Sequence, residues 1–244
     1  MDAAIADLTE AIALDDEEPA AFNQRALYYN QQGRWAEAVA DLDRAIELRP
    51  ERGDQYNGRA LAHLELGNFA LAVEDTTRAI ELDPDSPGTR SYYHNRASAY
   101  RELGELELAL ADLEQLVILD PGDPKARLEV VFALAELGEV DEALNRIEVL
   151  PGIAGNPAGR FATRAEVLKR AGRLEDAIGE IDQAIELDPS SPLLLAGRAV
   201  IYAELGDVEQ ARRDYERALE LANDPFLTME IKTRLGQLEQ ASSD

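Results

Sequence analysis

The sequence lacks cysteine and has only two histidines and one tryptophan among 244 residues. Without cysteine the chain can form neither a disulfide framework nor a thiolate metal site, a composition that fits a reducing compartment such as the cytoplasm. The sequence also has no metal-ligand spacing, glycine-rich phosphate loop or nucleophile motif. We therefore predict a protein that is not an enzyme and that uses no cofactor and no metal.

Positive charge is scarce, because 24 lysines and arginines stand against 49 aspartates and glutamates, for a net charge of −25. Affinity for nucleic acid comes mainly from cationic contacts with phosphates, so the composition argues against nucleic acid and against an anionic membrane surface. Basic protein partners would be attracted; alternatively, the acidity only keeps the surface solvated. No apolar run approaches the roughly 18 residues of a membrane-spanning helix, so we predict no membrane insertion.

Residues 19–52 contain two short helical patterns separated by Gly33. Apolar and small residues recur three and four positions apart, as Phe22, Ala26 and Tyr29 and then as Trp35, Ala38, Leu42 and Ala45. Gly33 can take the left-handed conformation that ends a helix, and Pro50 stops the second helix. Two helices this short cannot bury their apolar side alone, so the unit needs a neighbour of its own kind.

Copies of this unit follow one another along the chain. The hinge glycine returns at steps of 34, 37, 34, 34 and 34 residues, as Gly33, Gly67, Gly104, Gly138, Gly172 and Gly206. An alanine five residues later keeps the same register, as Ala38, Ala72, Ala109, Ala143, Ala177 and Ala211, and Ala4 precedes Ala38 by 34. The step of 37 reflects three extra residues at 87–89.

Positions within a copy are numbered here as slots, with Pro19 at slot 1. Slot 4 carries a large residue, as in Phe22, Tyr56, Tyr93, Phe161 and Leu195. Slot 8 carries a small residue, as in Ala26, Ala60, Ala97, Ala165 and Ala199. A proline closes the copy, as in Pro50, Pro84, Pro121 and Pro189. This pattern resembles the tetratricopeptide repeat over nearly the whole chain. The resemblance implies an all-α fold, a right-handed superhelical solenoid of antiparallel helix pairs whose first helices line a concave groove.

The register predicts one solenoid over residues 1–244. It divides into a half-repeat at 1–18, six full repeats at 19–52, 53–86, 90–123, 124–157, 158–191 and 192–225, and an amphipathic capping helix at 226–241. The half-repeat is either the natural start or the edge of a piece of a longer protein. The repeat at 124–157 diverges, because Val130 and Val131 replace the usual Arg-Ala and Pro151 is expected to cut its second helix short.

An arginine and an acid recur together in the copies. Slot 7 carries Arg25, Arg59, Arg96, Arg164 and Arg198, and slot 23 carries Asp41, Asp75, Asp112, Glu180 and Asp214. The copy that has Val130 in place of the arginine also has Arg146 in place of the acid. We therefore predict a structural ion pair within each regular copy, since the guanidinium can hold a carboxylate at two points.

The resemblance implies that slots 2, 5, 6, 9, 12 and 13 line the groove. The candidate partner-binding residues are Asn23, Asn57, Leu61, His94, Asn95, Arg101, Lys125, Leu128 and Phe132. Asparagine can both donate to and accept from the backbone of an extended peptide; alternatively, these amides are only solvated. Leu128 and Phe132 are either an apolar anchor for a partner or part of a local packing kink.

Some members of the family grip a partner's C-terminal carboxylate with lysine, asparagine and arginine from three hairpins. Residues 93–100, YHNRASAY, look like the central hairpin of that clamp, and Lys125 matches one lysine. Glu129 stands where the clamp needs arginine, and Asn57 and Leu61 replace the preceding lysine and asparagine. A carboxylate facing Glu129 would be repelled, so we predict no clamp.

These observations predict a non-catalytic interaction scaffold that holds a peptide or a partner's helix in its groove. One alternative is homotypic assembly through the uncovered inner side of the helix at 1–14. Another is a regulatory segment of a larger multidomain protein whose activity lies outside these residues.

Overall fold

The computed structural model describes residues 1–150, 152 and 155–241. These residues form fourteen α-helices and no strand, which confirms the predicted all-α fold class. The helices are α1 (Asp2–Leu14), α2 (Pro19–Gln31), α3 (Trp35–Leu48), α4 (Gly53–Glu65), α5 (Phe69–Leu82), α6 (Thr89–Glu102), α7 (Leu106–Leu119), α8 (Pro124–Glu136), α9 (Val140–Ile147), α10 (Pro157–Arg170), α11 (Leu174–Leu187), α12 (Pro192–Glu204), α13 (Val208–Leu221) and α14 (Pro225–Ala241).

Consecutive helices pack as antiparallel pairs, and the chain divides into two compact units at residues 1–126 and 127–244. In the first unit α2 pairs with α3, α4 with α5 and α6 with α7, and α4 also contacts α2 and α6. In the second unit α10 pairs with α11 and α12 with α13, and α14 packs on α12 and α13. In the first unit the first helices of neighbouring copies therefore touch one another.

The hinge glycines turn the chain between the two helices of a pair. All six have a positive φ between +71° and +83°, which confirms the left-handed conformation predicted for Gly33 and its repeats. After the turn the N–H of Arg34 donates to the carbonyl oxygen of Tyr29 at 2.9 Å, and Asn68 does the same to His63 at 2.8 Å. These bonds satisfy carbonyls that the end of the first helix would otherwise leave open.

Alanine forms the contact between the helices of a pair. Ala26, Ala38, Ala60 and Ala72 have no exposed surface. Their small side chains let the two backbones approach closely, and larger residues such as Leu42 fill the spaces beside them. A larger residue at an alanine slot would therefore push the pair apart.

The divergent repeat has a short second helix. Helix α9 has eight residues, whereas α3, α5, α7, α11 and α13 each have fourteen. Val130 and Val131, at the slots of the missing Arg-Ala, are fully buried. Pro151, which was expected to end this helix, lies outside the described residues.

Candidate functional site

The structure brings together the two members of each predicted ion pair. In every case the arginine donates from Nε and Nη2 to the two carboxylate oxygens, at 2.6–2.9 Å, in the pairs Arg25–Asp41, Arg59–Asp75, Arg96–Asp112, Arg164–Glu180 and Arg198–Asp214. The hydrogen bond to Asp75 raises the pKa of Arg59, although burial opposes the rise. The second helix of each regular copy is thus tied to its first.

Each of these arginines also reaches the preceding copy, a contact that the sequence reasoning missed. The remaining nitrogen, Nη1, donates to slot 25 of the preceding second helix, at Thr9, Asp43, Thr77, Glu148 and Asp182 respectively. The missed signal was that slot 25 carries only threonine or an acid from Thr9 to Glu216. One guanidinium therefore joins three helices that belong to two neighbouring copies.

The divergent copy uses its charges differently. Arg146, at the acid's slot, donates to Glu142 one turn earlier in α9 at 2.8 Å. Val130 replaces the arginine and is 1% exposed. Apolar packing thus takes the place of the ion pair in this copy.

In the first unit an asparagine pair links neighbouring first helices. Asn95 on α6 donates from Nδ2 to Oδ1 of Asn57 on α4, at 2.9 Å. One helix earlier, Asn30 donates from Nδ2 to the carbonyl oxygen of Gly58, at 3.0 Å. These amides lie where the first helices meet, so part of their hydrogen-bonding capacity stabilises the stack.

The other candidates of the first unit differ in exposure. His94, Arg101 and Lys125 are exposed, whereas Asn23 and Leu61 are half-buried. The backbone N–H of Lys125 donates to Oδ1 of Asp123 at 2.9 Å, in the first turn of α8. Helices α4 and α6 therefore carry amide groups (Asn57 and Asn95), an imidazole (His94), a guanidinium (Arg101) and an apolar side chain (Leu61) among their candidate residues.

In the second unit Phe132 lies under a cation. The guanidinium of Arg170 on α10 sits 4.3 Å from the centre of the Phe132 ring on α8. Arg170 also pairs with Glu136 at 2.5 Å and with Glu166 at 2.8 Å, and Glu166 holds Lys169 at 2.8 Å. Both residues of the predicted apolar anchor, Phe132 and Leu128, are therefore half-buried, and the Phe132 ring is covered on one side by the charge of Arg170.

His63 is buried at slot 11, where three other copies carry tyrosine, as Tyr29, Tyr100 and Tyr202. Its Nε2 lies 4.0 Å from Asp75, and its Nδ1 lies 3.5 Å from the side-chain nitrogen of Asn68. Burial lowers the pKa of His63, and the nearby Asp75 opposes this effect only in part. A neutral imidazole therefore fills this position at neutral pH.

Two absences apply to residues 1–150, 152 and 155–241. No group of three or more histidine, aspartate or glutamate side chains there could hold a metal ion. No helix in the same ranges has the length and apolar content needed to cross a membrane.

Stacked helical hairpins tied by repeated ion pairs define a helical-repeat protein. Family models of the tetratricopeptide repeat match residues 1–52, 23–87 and 163–227, and a second model of the repeat matches residues 100–163. The chain therefore belongs to the tetratricopeptide repeat family, whose members are generally non-catalytic scaffolds for protein–protein interaction.

Several known proteins are similar to this chain. The tetratricopeptide repeat protein 36 homolog of Drosophila melanogaster is 32% identical over an alignment of 96 positions, which covers 37% of this chain and 51% of that protein. The match thus spans about half the length of this relative.

Solved structures show the same fold. A tetratricopeptide repeat protein from Parabacteroides merdae has a TM-score of 0.67 at 18% identity, over 96% of this chain and 91% of that one. YrrB, described as a TPR protein with an unusual peptide-binding site, has a TM-score of 0.52 at 20% identity, over 93% and 97%. The MamA protein has a TM-score of 0.57 at 16% identity, over 69% and 90%.

Proposed function

We propose that the first-helix face of residues 1–126 binds an extended peptide segment of a partner protein. The Asn57–Asn95 pair carries this proposal, because it lies across two neighbouring first helices. Within the described residues their mutual bond uses one donor of Asn95 and the carbonyl of Asn57, so the Asn57 N–H donors and the Asn95 carbonyl remain for a ligand. An extended backbone offers alternating carbonyl and N–H groups that match this set.

The surroundings of the asparagine pair favour a partner of mixed polarity. Leu61 supplies a half-buried apolar contact on α4, and the exposed His94 lies beside Asn95 on α6. The net charge of −25 attracts basic segments over a long range, and salt screens this attraction. The backbone would supply the hydrogen bonds and Leu61 the selectivity for an apolar side chain.

Phe132 and Leu128 form a second, separate proposed contact in residues 127–244. Arg170 covers one face of the Phe132 ring, so an apolar partner group reaches that face only after it displaces the guanidinium. A partner carboxylate could instead pair with Arg170 and leave the cover in place. A peptide-binding site is described for YrrB, and the similarity of its fold supports the general proposal of peptide binding.

Selection of a phage-displayed library of random peptides against the chain tests this function. We expect the selected peptides to lose about tenfold in affinity with Asn95→Ala or Asn57→Ala, about the value of one hydrogen bond. The matched control is Asn145→Ala, an exposed asparagine on the second helix α9, which should leave affinity unchanged. Peptides that bind Asn95→Ala and Asn57→Ala as tightly as they bind the native chain would refute the proposed face. Loss of affinity with Phe132→Ala alone would place the binding at the separate contact in residues 127–244.

A further inference from the structure

Helix α14 has the register of a first helix. Continuing the 34-residue period from Pro192 places Met229, Lys232 and Thr233 at slots 4, 7 and 8, which correspond in the preceding copy to Leu195, Arg198 and Ala199. The arginine slot thus still carries a cation, the large slot a large residue and the small slot a short one.

The packing of α14 agrees with this register. Ile231 at slot 6 is 1% exposed, and together with Leu235 at slot 10 it packs in the core formed with α12 and α13. Leu235 is half-buried, and in the preceding copies slot 10 is buried, as Val167 and Ile201 show. Helix α14 therefore packs on the preceding copy with the same side that the other first helices use.

The opposite side of α14 is open. Met229 is 63% exposed, and with Lys232 and Thr233 it lines a shallow pocket of about 560 Å³. In the preceding copy the corresponding Leu195 and Ala199 are buried. The second helix of the same copy covers those slots, so the pocket on α14 lies where a second helix would pack.

Helix α1 has the complementary register of a second helix. Ala4, Asp7 and Ala11 stand at slots 20, 23 and 27, which in the next copy are Ala38, Asp41 and Ala45. The three residues of that next copy are all buried, whereas Asp7 and Ala11 are exposed and Ala4 is half-buried. The side of α1 that packs on α2 is occupied, since Ile5 is buried in a core with Ala26.

We propose that α1 of one copy of this chain packs on α14 of another copy and completes a repeat between two molecules. Asp7, at slot 23, would then form an ion pair with Lys232, at slot 7, as the residues at these two slots do in the five internal ion pairs. Neither residue has an ion-pair partner among the described residues. Glu216 also precedes Lys232 by 16 residues, as Asp182 precedes Arg198, so the lysine would lie between two acids.

This contact joins different surfaces of two identical chains. Such heterologous contacts produce chains or rings of molecules rather than closed symmetric dimers. One helix pair is smaller than the roughly 1,600 Å² of a standard interface, so each junction is weak, with a dissociation constant of about 10 μM to 1 mM.

Sedimentation equilibrium of the 244-residue chain at about 10 μM to 1 mM, the range of a weak contact, tests the proposal. We expect the weight-average mass to rise past that of a dimer. Ala11→Glu and Met229→Glu should each weaken self-association at least about tenfold, because a charge enters the apolar contact. An equimolar mixture of the two variants should form one-to-one dimers and stop there, because the Ala11→Glu chain keeps an intact α14 and the Met229→Glu chain an intact α1.

Ala13→Glu is the matched control, because it puts the same charge on the other side of α1. Its slot 29 already carries glutamate at Glu47, Glu81, Glu186 and Glu220, so this variant should associate like the native chain. A native chain that stays monomeric throughout, a mass that saturates at a dimer, or a variant mixture that stays monomeric would each overturn the proposal. All altered positions are exposed, and circular dichroism verifies that each variant is folded.

Discussion

Arg59 holds both carboxylate oxygens of Asp75, with Nε at 2.8 Å and Nη2 at 2.6 Å. The side chain of Asp75 is 7% exposed and that of Arg59 is 20% exposed. The same two-point contact spans 16 residues in the four other regular copies, so the described part of the chain contains five versions of one interaction.

Removing one partner of the Arg59–Asp75 pair should be costly. Arg59→Ala leaves a buried carboxylate unpaired, and we expect it to lower the free energy of unfolding by about 3 kcal/mol. The double variant Arg59→Ala/Asp75→Ala should lose less free energy of unfolding than the two single variants lose in sum, and the difference should exceed about 1 kcal/mol. Urea unfolding measures all four proteins, and additive effects would show that the two residues do not interact.

The two acids on Arg59 should differ in importance. Asp43 accepts from Nη1 at 2.6 Å, but its side chain is 50% exposed. Asp43→Asn should therefore cost about 0–1 kcal/mol, as exposed pairs do, whereas Asp75→Asn should cost about 2 kcal/mol or more. Urea midpoints of the two variants give the comparison, and equal effects would contradict the order of burial.

His63 should make stability depend on pH. Its folded pKa lies below the ordinary value of 6.5, so the unfolded chain binds the proton first as pH falls. The contribution of His63 is present above about pH 6.5 and is lost as pH drops from there toward the folded pKa. His63→Tyr, which installs the residue found at Tyr29, Tyr100 and Tyr202, should flatten this part of the profile.

Urea unfolding of both proteins between about pH 7.5 and pH 5.5 measures the effect. Asp75 and Arg59 face the imidazole and are unchanged in the variant, so the difference between the two profiles isolates His63. Parallel profiles would show that the histidine makes no contribution.

Two glycines inside helices should respond in opposite ways to alanine. A Cβ at Gly53 would come within 2.8 Å of Asp83 Oδ2 and 2.9 Å of the Ala79 carbonyl oxygen, whereas a Cβ at Gly179 meets nothing within 4 Å. Gly53→Ala should destabilise by about 1–3 kcal/mol, and Gly179→Ala should stabilise by about 0.5–1 kcal/mol. Thermal unfolding of each variant checks both signs.

Arg170 should shield the apolar ring of Phe132. Arg170→Ala is expected to increase the fluorescence of a bound apolar dye such as ANS, because the ring becomes accessible. Adding Phe132→Ala to this variant should remove the increase. Arg173→Ala is the control, since Arg173 pairs with Asp176 at an exposed site; a similar increase there would exclude shielding as the cause.

The 34-residue period was sufficient to predict the helices, the left-handed glycines and the pairing of slots 7 and 23. These features depend on residues of one copy, and comparison of the copies within the chain exposes them. The contact of Arg59 with Asp43 was missed because it joins neighbouring copies. The sequence does show an acid or a threonine at slot 25 of every copy. However, no copy changes slot 25 together with the arginine slot that it contacts, so comparison of the copies does not reveal the contact.

The groove candidates were harder to predict, because side-chain geometry decides what remains for a ligand. A slot number assigns Asn57 and Asn95 to a face but does not show that they bond to each other. It likewise assigns Phe132 to a face without showing Arg170 above the ring. Such contacts arise between helices separated by a whole copy, where many rotamers compete.

Mapping a selected peptide by NMR shows whether it binds to the first-helix face of residues 1–126. Backbone amide shifts of the chain would be followed as the peptide is added. We predict that the largest changes fall on the first helices α4 and α6, around Asn57 and Asn95. Changes confined to the second helices α3, α5 and α7 would show that the peptide binds elsewhere than on the first-helix face.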